Sequence, residues 1–159
     1  MSERQVTDGA ASDPLGSADP FVEFSASKVL EADDRHAIAE QASAPELDNH
    51  AGVRHAGALF AVGYAASRAL VAAALAPVAD TMGVELSETE IEYHKVVAGQ
   101  KVRATAEPRD ETWDTILAKA LAGEAVQLET SVTLRGEDGA AMTEMSASWQ
   151  VTPRSEPAA

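Results

Sequence analysis

No cysteine occurs anywhere in the chain, so a disulfide framework, a thiolate zinc site and a cysteine nucleophile are all excluded. Metal ligation is left with four histidines. His50 and His55 flank a glycine turn, His36 and His94 lie far from them in sequence, and no HExxH spacing occurs; the expectation is no metal site. Positive charge is scarce too, with 12 Lys and Arg against 26 Asp and Glu and a net charge of −14. A field of that sign repels phosphate backbones, so nucleic acid is not expected as a partner. The first residues, 1–19, are rich in Ser, Asp, Gly and Ala and lack the basic-then-apolar order of a signal peptide, which predicts a disordered lead-in. Ala56 to Ala79 is long and apolar, but Arg68 near its middle, Pro77 near its end and the dominance of alanine argue against a membrane span. It reads as the buried helix of a cytoplasmic protein.

At 159 residues the chain is long enough for one domain with a sizeable core and short for two. The expected domain covers 20–152, followed by a tail over 153–159. Pro20 to about Leu30 has helical spacing, with Phe21, Phe24 and Val29 or Leu30 on one face and Asp19 capping an N1 proline, which predicts a short covering helix. His36 to Ser43 alternates, Ala37, Ala39 and Gln41 against Ile38, Glu40 and Ala42, and predicts a first strand ended by Pro45. Ala58 to about Val78 is a helix with two apolar stripes: Leu59, Val62, Ala66, Leu70 and Ala73, and beside them Phe60, Tyr64, Arg68, Val71 and Leu75. A helix apolar nearly all round has to be wrapped.

From Val84 the period becomes two. Thr89, Ile91 and Tyr93 and, after a turn at Ala98-Gly99-Gln100, Val102, Ala104 and Ala106 predict an antiparallel pair. Glu111 to Leu121 is amphipathic, with Trp113, Ile116, Leu117 and Ala120 inward. Val126 to Leu134 and Met145 to Val151 predict a hairpin turning at Glu137-Asp138-Gly139. The expected architecture is α+β, five antiparallel strands curled around one helix, and the uncovered strand edge predicts a homodimer.

The helix is entered through Asp48-Asn49-His50-Ala51-Gly52-Val53-Arg54-His55-Ala56-Gly57-Ala58-Leu59-Phe60. A helix that starts at such a loop presents unpaired N–H groups and the positive end of its dipole to a carbonyl or anion. The pattern NHxGxxHAxAL resembles the hotdog-fold acyl-CoA thioesterases, in particular a thioesterase-like branch in which it opens the central helix. Ile91 to Lys95, with Gly99 and Val102 to Ala106, resembles the next strand pair of that family, and Gln127 to Arg135 with Ala140 to Val151 its closing hairpin. The likeness covers residues 36 to 152. It implies a hotdog fold, a homodimer or dimer of dimers with the active site at the dimer interface, a small-molecule acyl thioester as substrate, and thioester hydrolysis. CoA would be part of the substrate, and no separate cofactor is implied.

By the same resemblance, Gly57 N–H polarises the thioester carbonyl, a term worth on the order of 3 kcal/mol when such a donor is well placed. Asn49 matches the residue that positions water or substrate; its alternative is to cap the loop. His55 lines the pocket or bonds within the loop. Relatives commonly carry Asp or Glu where this chain has Tyr64, and no carboxylate occurs from Val53 to Ala79. A phenol with an ordinary pKa of about 10 is a poor base at neutral pH. Three routes remain open. A carboxylate comes from Asp48, Glu46 or the strand glutamates Glu88, Glu90 and Glu92; Tyr64 and Arg68, one turn apart, act as a polar pair; or the site binds without hydrolysing, as a binding protein or a dehydratase- or isomerase-like enzyme. Phe60 and Arg68 are candidate substrate contacts, and Lys95, Lys101 and Arg103 are candidates for the phosphates of CoA.

Overall fold

A computed structural model describes residues 20–155, so the lead-in expected over 1–19, the end of the tail and the Phe21 side chain lie outside the described residues. In chain order the elements are α1 (Pro20–Phe24), β1 (Ser27–Ala32), β2 (Ala37–Gln41), α2 (Ala56–Leu75), β3 (Met82–Tyr93), β4 (Val102–Pro108), α3 (Trp113–Leu121), β5 (Val126–Arg135) and β6 (Ala141–Pro153). The strands form one six-stranded sheet in the order β1-β2-β4-β5-β6-β3. Every neighbouring pair is antiparallel.

Helix α2 lies across the concave face of this sheet, and the small side chains explain how closely. Ala37 and Ala39 of β2 and Ala104 and Ala106 of β4 are fully buried beneath it. In α2 itself, Gly63 comes so near β5 and β6 that a Cβ would sit 3.1 Å from the Met145 sulfur and 3.4 Å from a Leu134 methyl. Larger residues fill the space toward the other end, where Leu70, Leu75, Leu128, Met82 and Trp149 are sealed from solvent. Each such side chain contributes roughly 1.5–3 kcal/mol on burial. One polar thread crosses this apolar layer: Ser67 Oγ lies 2.7 Å from Thr130 Oγ1 and accepts the Trp149 indole N–H at 2.8 Å. It ties α2, β5 and β6 together through groups that satisfy one another.

Several expectations are corrected. The helix read over Pro20 to Leu30 is only the short α1. Ala26 takes a φ of +55°, a left-handed conformation that turns the chain, and residues from Ser27 onward pair with β2 as an edge strand. Val29 and Leu30 are therefore largely exposed instead of covering the core, and the sheet has six strands where five were expected. The predicted pairing of the strand ending at Tyr93 with that beginning at Val102 also fails. β3 pairs along its whole length with β6, while β4 lies between β2 and β5. The connection instead crosses the end of the sheet, burying Val97, whose carbonyl accepts from Arg54 N–H. β6 reaches Pro153, and Arg154 still donates from its backbone to Thr81 and from Nε to Met82, both through carbonyls, so the sheet extends into the segment read as tail.

The polar thread yields the first test. Ser67→Ala strands Thr130 Oγ1 and the Trp149 indole in an apolar layer and should cost about 1–3 kcal/mol in urea unfolding. Ser67→Ala combined with Thr130→Val should cost less than the sum of the two single variants.

Candidate functional site at the start of the central helix

The loop before α2 is folded by its own backbone. After a 3-10 turn over Pro45–Leu47, Asp48 pairs with Arg54 as an isolated antiparallel bridge. Between them Asn49 closes a tight turn. Its N–H donates to the Val53 carbonyl at 2.8 Å, and its Oδ1 accepts from Ala51 N–H at 2.9 Å and Val53 N–H at 3.4 Å. Gly52 supplies the left-handed residue, φ +74°, that such a turn needs. With Oδ1 engaged in the loop, only the Asn49 amide group is left to address a ligand.

His55 is the residue at which α2 begins. Its Nδ1 accepts from Gly57 N–H at 3.0 Å, and its carbonyl accepts from Ala58 N–H and Leu59 N–H. The amide expected to polarise a carbonyl is thus held, in this state, by the imidazole two residues earlier. Adding a Cβ at Gly57 would place it 3.2 Å from that same Nδ1, so a larger residue would press on the imidazole. Tyr93 reaches in from the end of β3 and donates to the Ala56 carbonyl at 3.2 Å; partial burial pushes its phenol pKa above the usual value.

A cavity of about 240 Å³ opens at this helix start, lined by Phe24, Ser25, Glu46, Leu47, Asp48, His55, Gly57 and Ala58. It is smaller than the roughly 300–1,000 Å³ of typical small-molecule sites, so one chain encloses a reacting group and not a whole nucleotide-bearing ligand. Asp48 and Glu46, two of the carboxylates considered from the sequence, line the cavity with His55 and Gly57, whereas Glu88, Glu90 and Glu92 of β3 do not.

Beneath the cavity lies a buried polar cluster that the sequence reading did not assign. The Arg54 side chain has no exposed surface. Its Nη1 donates to Gln41 Oε1 and its Nη2 to the Gln100 carbonyl, both at 2.7 Å, and its Nε stands 3.7 Å from Asp48 Oδ1. Burial pulls the guanidinium pKa down, and the Asp48 carboxylate pushes it back up. Gln41, also buried, donates in turn to the Ala58 carbonyl at 2.8 Å. A polar residue in register with Ala37 and Ala39 on an apolar strand face was the available signal for Gln41; nothing local marked Arg54.

The other expected residues lie elsewhere. Phe60, Tyr64 and Arg68 form a half-buried stripe on α2. Phe60 and Tyr64 stack with ring centroids 6.2 Å apart, and Tyr64 tilts against Trp149 at 5.8 Å. Arg103 and Lys101 sit on the outer face of the sheet, where they share Glu40 at 3.0 and 3.2 Å. Those two cations, Arg103 first, hold the Glu40 carboxyl below its usual pKa. The cavity there, about 370 Å³, is lined by Glu40, Lys101, Arg103, Arg135, Gly136, Glu137 and Gly139; exposed Lys95 is not among them. Glu40 and Arg103 face one another across a register in which the next pair, Gln41 and Val102, points into the core, so these cations are on the side of the sheet opposite α2. Among the described residues, one grouping brings metal-ligating atoms within 4.8 Å of each other, Glu92, His94 and Glu144. All three are exposed, they already pair through His94 Nε2 and Glu144 Oε2 at 2.9 Å, and none lines the helix-start cavity.

Residues 12–151 match the family described as "Domain of unknown function (DUF4442)". No functionally curated protein matches. Among solved structures, a Mycobacterium tuberculosis protein with a proposed esterase assignment is 18% identical, with a TM-score of 0.72 over 87% of this chain and 100% of that one. A Pseudomonas aeruginosa protein of unknown function with a proposed thioesterase assignment is 19% identical, TM-score 0.72, over 84% and 87%. The PaaI protein of the Escherichia coli phenylacetic acid degradation operon is 13% identical, TM-score 0.62, over 81% and 86%. At such identities the likeness establishes the fold.

The buried cluster generates a test that does not depend on activity. Gln41→Leu keeps the side-chain volume but removes the acceptor of a buried guanidinium and the donor to Ala58, and should cost about 3 kcal/mol in urea unfolding; an unchanged midpoint would remove the cluster from the account. The wrapped central helix, the strand order and the family match together make this chain a hotdog-fold member of the DUF4442 family.

Proposed function

We propose that this protein is an acyl-thioester hydrolase of the hotdog type, acting on an acyl-CoA as a cytoplasmic homodimer or dimer of dimers. The observation that carries the reading is the cavity at the start of α2, where the first-turn amide of Gly57, the His55 imidazole and two carboxylates meet in one space. In the proposed complex the thioester oxygen replaces His55 Nδ1 as the acceptor of Gly57 N–H. The helix dipole adds to that donor as negative charge develops on the oxygen. Asn49, through its amide group, positions water or substrate at the rim.

Two features support a dimer. The stripe Phe60, Tyr64 and Arg68 is left half-covered, and β3, 12 residues long, ends the sheet with an outer edge that is unpaired among the described residues. A second chain against that edge would extend the sheet and enlarge a cavity too small for CoA. Phe60 and Arg68 would then border the acyl group. Arg103, with Lys95, is assigned to the CoA phosphates. It lies on the outer sheet face, so a phosphate-bearing tail would leave around the end of the sheet and compete with Glu40 for that guanidinium.

A second reading has its own support. The Gly57 amide is already capped by His55, and α2 carries no carboxylate. Both suit a protein that binds an acyl compound without hydrolysing it, or a hotdog enzyme of dehydratase or isomerase type in which Tyr64 serves.

Thiol release from short, long and aromatic acyl-CoAs separates the two. The hydrolase reading expects release proportional to enzyme, falling about 100-fold or more in a folded Gly57→Val variant. Acyl-CoA retained in equilibrium dialysis without thiol release would favour the second reading, and an undiminished Gly57→Val rate would remove the helix start from the mechanism.

A further inference from the structure

This inference rests on the hydrolase reading and supplies what that reading lacks, a base. A water molecule attacking a thioester has to lose a proton, and no Asp or Glu occurs from Val53 to Ala79. Among the described residues, Glu46 and Asp48 are the carboxylates that line the cavity. Glu46 is exposed on its 3-10 turn.

Asp48 is different. Its backbone is fixed on both sides, its N–H donating to the Pro45 carbonyl at 3.1 Å and its strand-like bridge running to Arg54. Its side chain keeps 22% exposure, while Oδ1 is sealed and accepts no hydrogen bond. The exposed part is therefore the remainder of the carboxylate and its methylene. Arg54 Nε faces Oδ1 at 3.7 Å and is itself without an acceptor. That distance is an ion pair just beyond hydrogen-bond range, while Gln41 and the Gln100 carbonyl hold the other nitrogens of the guanidinium. A carboxylate oxygen withdrawn from water without a donor is costly in a finished structural contact. Here the charge of Arg54 offsets the burial of Oδ1, and the remaining, exposed part of the carboxylate belongs to the cavity that Asp48 lines.

We infer that Asp48 is the general base of the site. As the water oxygen bonds to the thioester carbonyl carbon, its proton passes to the Asp48 carboxylate, and the carbonyl electron pair moves onto the oxygen facing Gly57 N–H. Collapse of the tetrahedral intermediate re-forms the carbonyl and breaks the C–S bond, and the leaving sulfur takes the proton back from Asp48. One water and one thioester become one carboxylic acid and one thiol, and the Asp48 carboxylate is restored. The missing helix carboxylate is replaced from the loop, nine residues before the amide that meets the oxygen.

The test is steady-state hydrolysis of an acyl-CoA cleaved by the wild type, with Asp48→Asn and Glu46→Gln compared. Asp48→Asn should lower kcat by about 10²–10⁴-fold with KM little changed, and the loss in Glu46→Gln should be far smaller. Near-wild-type kcat in Asp48→Asn, or an equal loss in Glu46→Gln, overturns the assignment while the hydrolase reading stands. A wild type that cleaves no acyl-CoA overturns both. If circular dichroism shows Asp48→Asn unfolded, Asp48→Asn combined with Arg54→Gln removes both charges of the pair together. The loss of kcat is expected there too, and retained turnover in that variant overturns the assignment.

Discussion

A guanidinium with no exposed surface has to be met by acceptors and countercharge, and around Arg54 these come from three separate parts of the chain. Gln41 is the last residue of β2, Gln100 precedes β4, and Asp48 stands at the head of the loop that Arg54 closes. Removing such a charge from water costs several kcal/mol unless it is met in place, so the loop, the end of the sheet and the crossing from β3 are held to one arrangement. Gln41 extends the set to α2 through the Ala58 carbonyl. The position of the helix start relative to the cavity is thereby set by polar contacts, and the rest of the helix is seated by apolar packing.

That packing has its own logic. Alanines on β2, β4 and α2, with Gly63 against Met145 and Leu134, allow helix and sheet to approach closely where the site lies. Bulk is concentrated toward Leu70, Leu75 and Trp149, where Ser67 and Thr130 add a directional contact that apolar packing alone does not provide. A close helix start and a thick far end leave the cavity at the end where backbone N–H groups point. The proposed chemistry uses that asymmetry, since a carbonyl brought to the cavity meets an amide with a carboxylate beside it.

Much of this was legible in the sequence because it was periodic. The run after His55, with Arg68 as its one charge, marked α2, and strict alternation marked β4, β5 and β6. The Asn49 to Gly57 pattern marked the loop that the structure places at a cavity. What escaped was non-local or lacked a local marker. β1 was hidden because Val29 and Leu30 suit a helix face equally well, and the break before it is made by Ala26 at a φ that usually signals glycine. The partner of β3 was misassigned because adjacency in sequence suggested a hairpin, whereas β6, at 13 residues, offers a ladder along all of β3. Nothing local marked Arg54, since burial of a charge depends on acceptors 13 and 46 residues away in sequence. The capping of Gly57 by His55 likewise depends on a rotamer that spacing does not disclose.

The central claim is that a thioester carbonyl is received at the start of α2. A crystal structure with a CoA thioether ketone, in which a methylene replaces the reacting sulfur attachment and blocks hydrolysis, tests it most directly. The account predicts the ketone oxygen within hydrogen-bond distance of Gly57 N, the His55 ring displaced from that amide, and the Asp48 carboxylate facing the carbonyl carbon. A ligand seated elsewhere with the His55 to Gly57 hydrogen bond intact would contradict it.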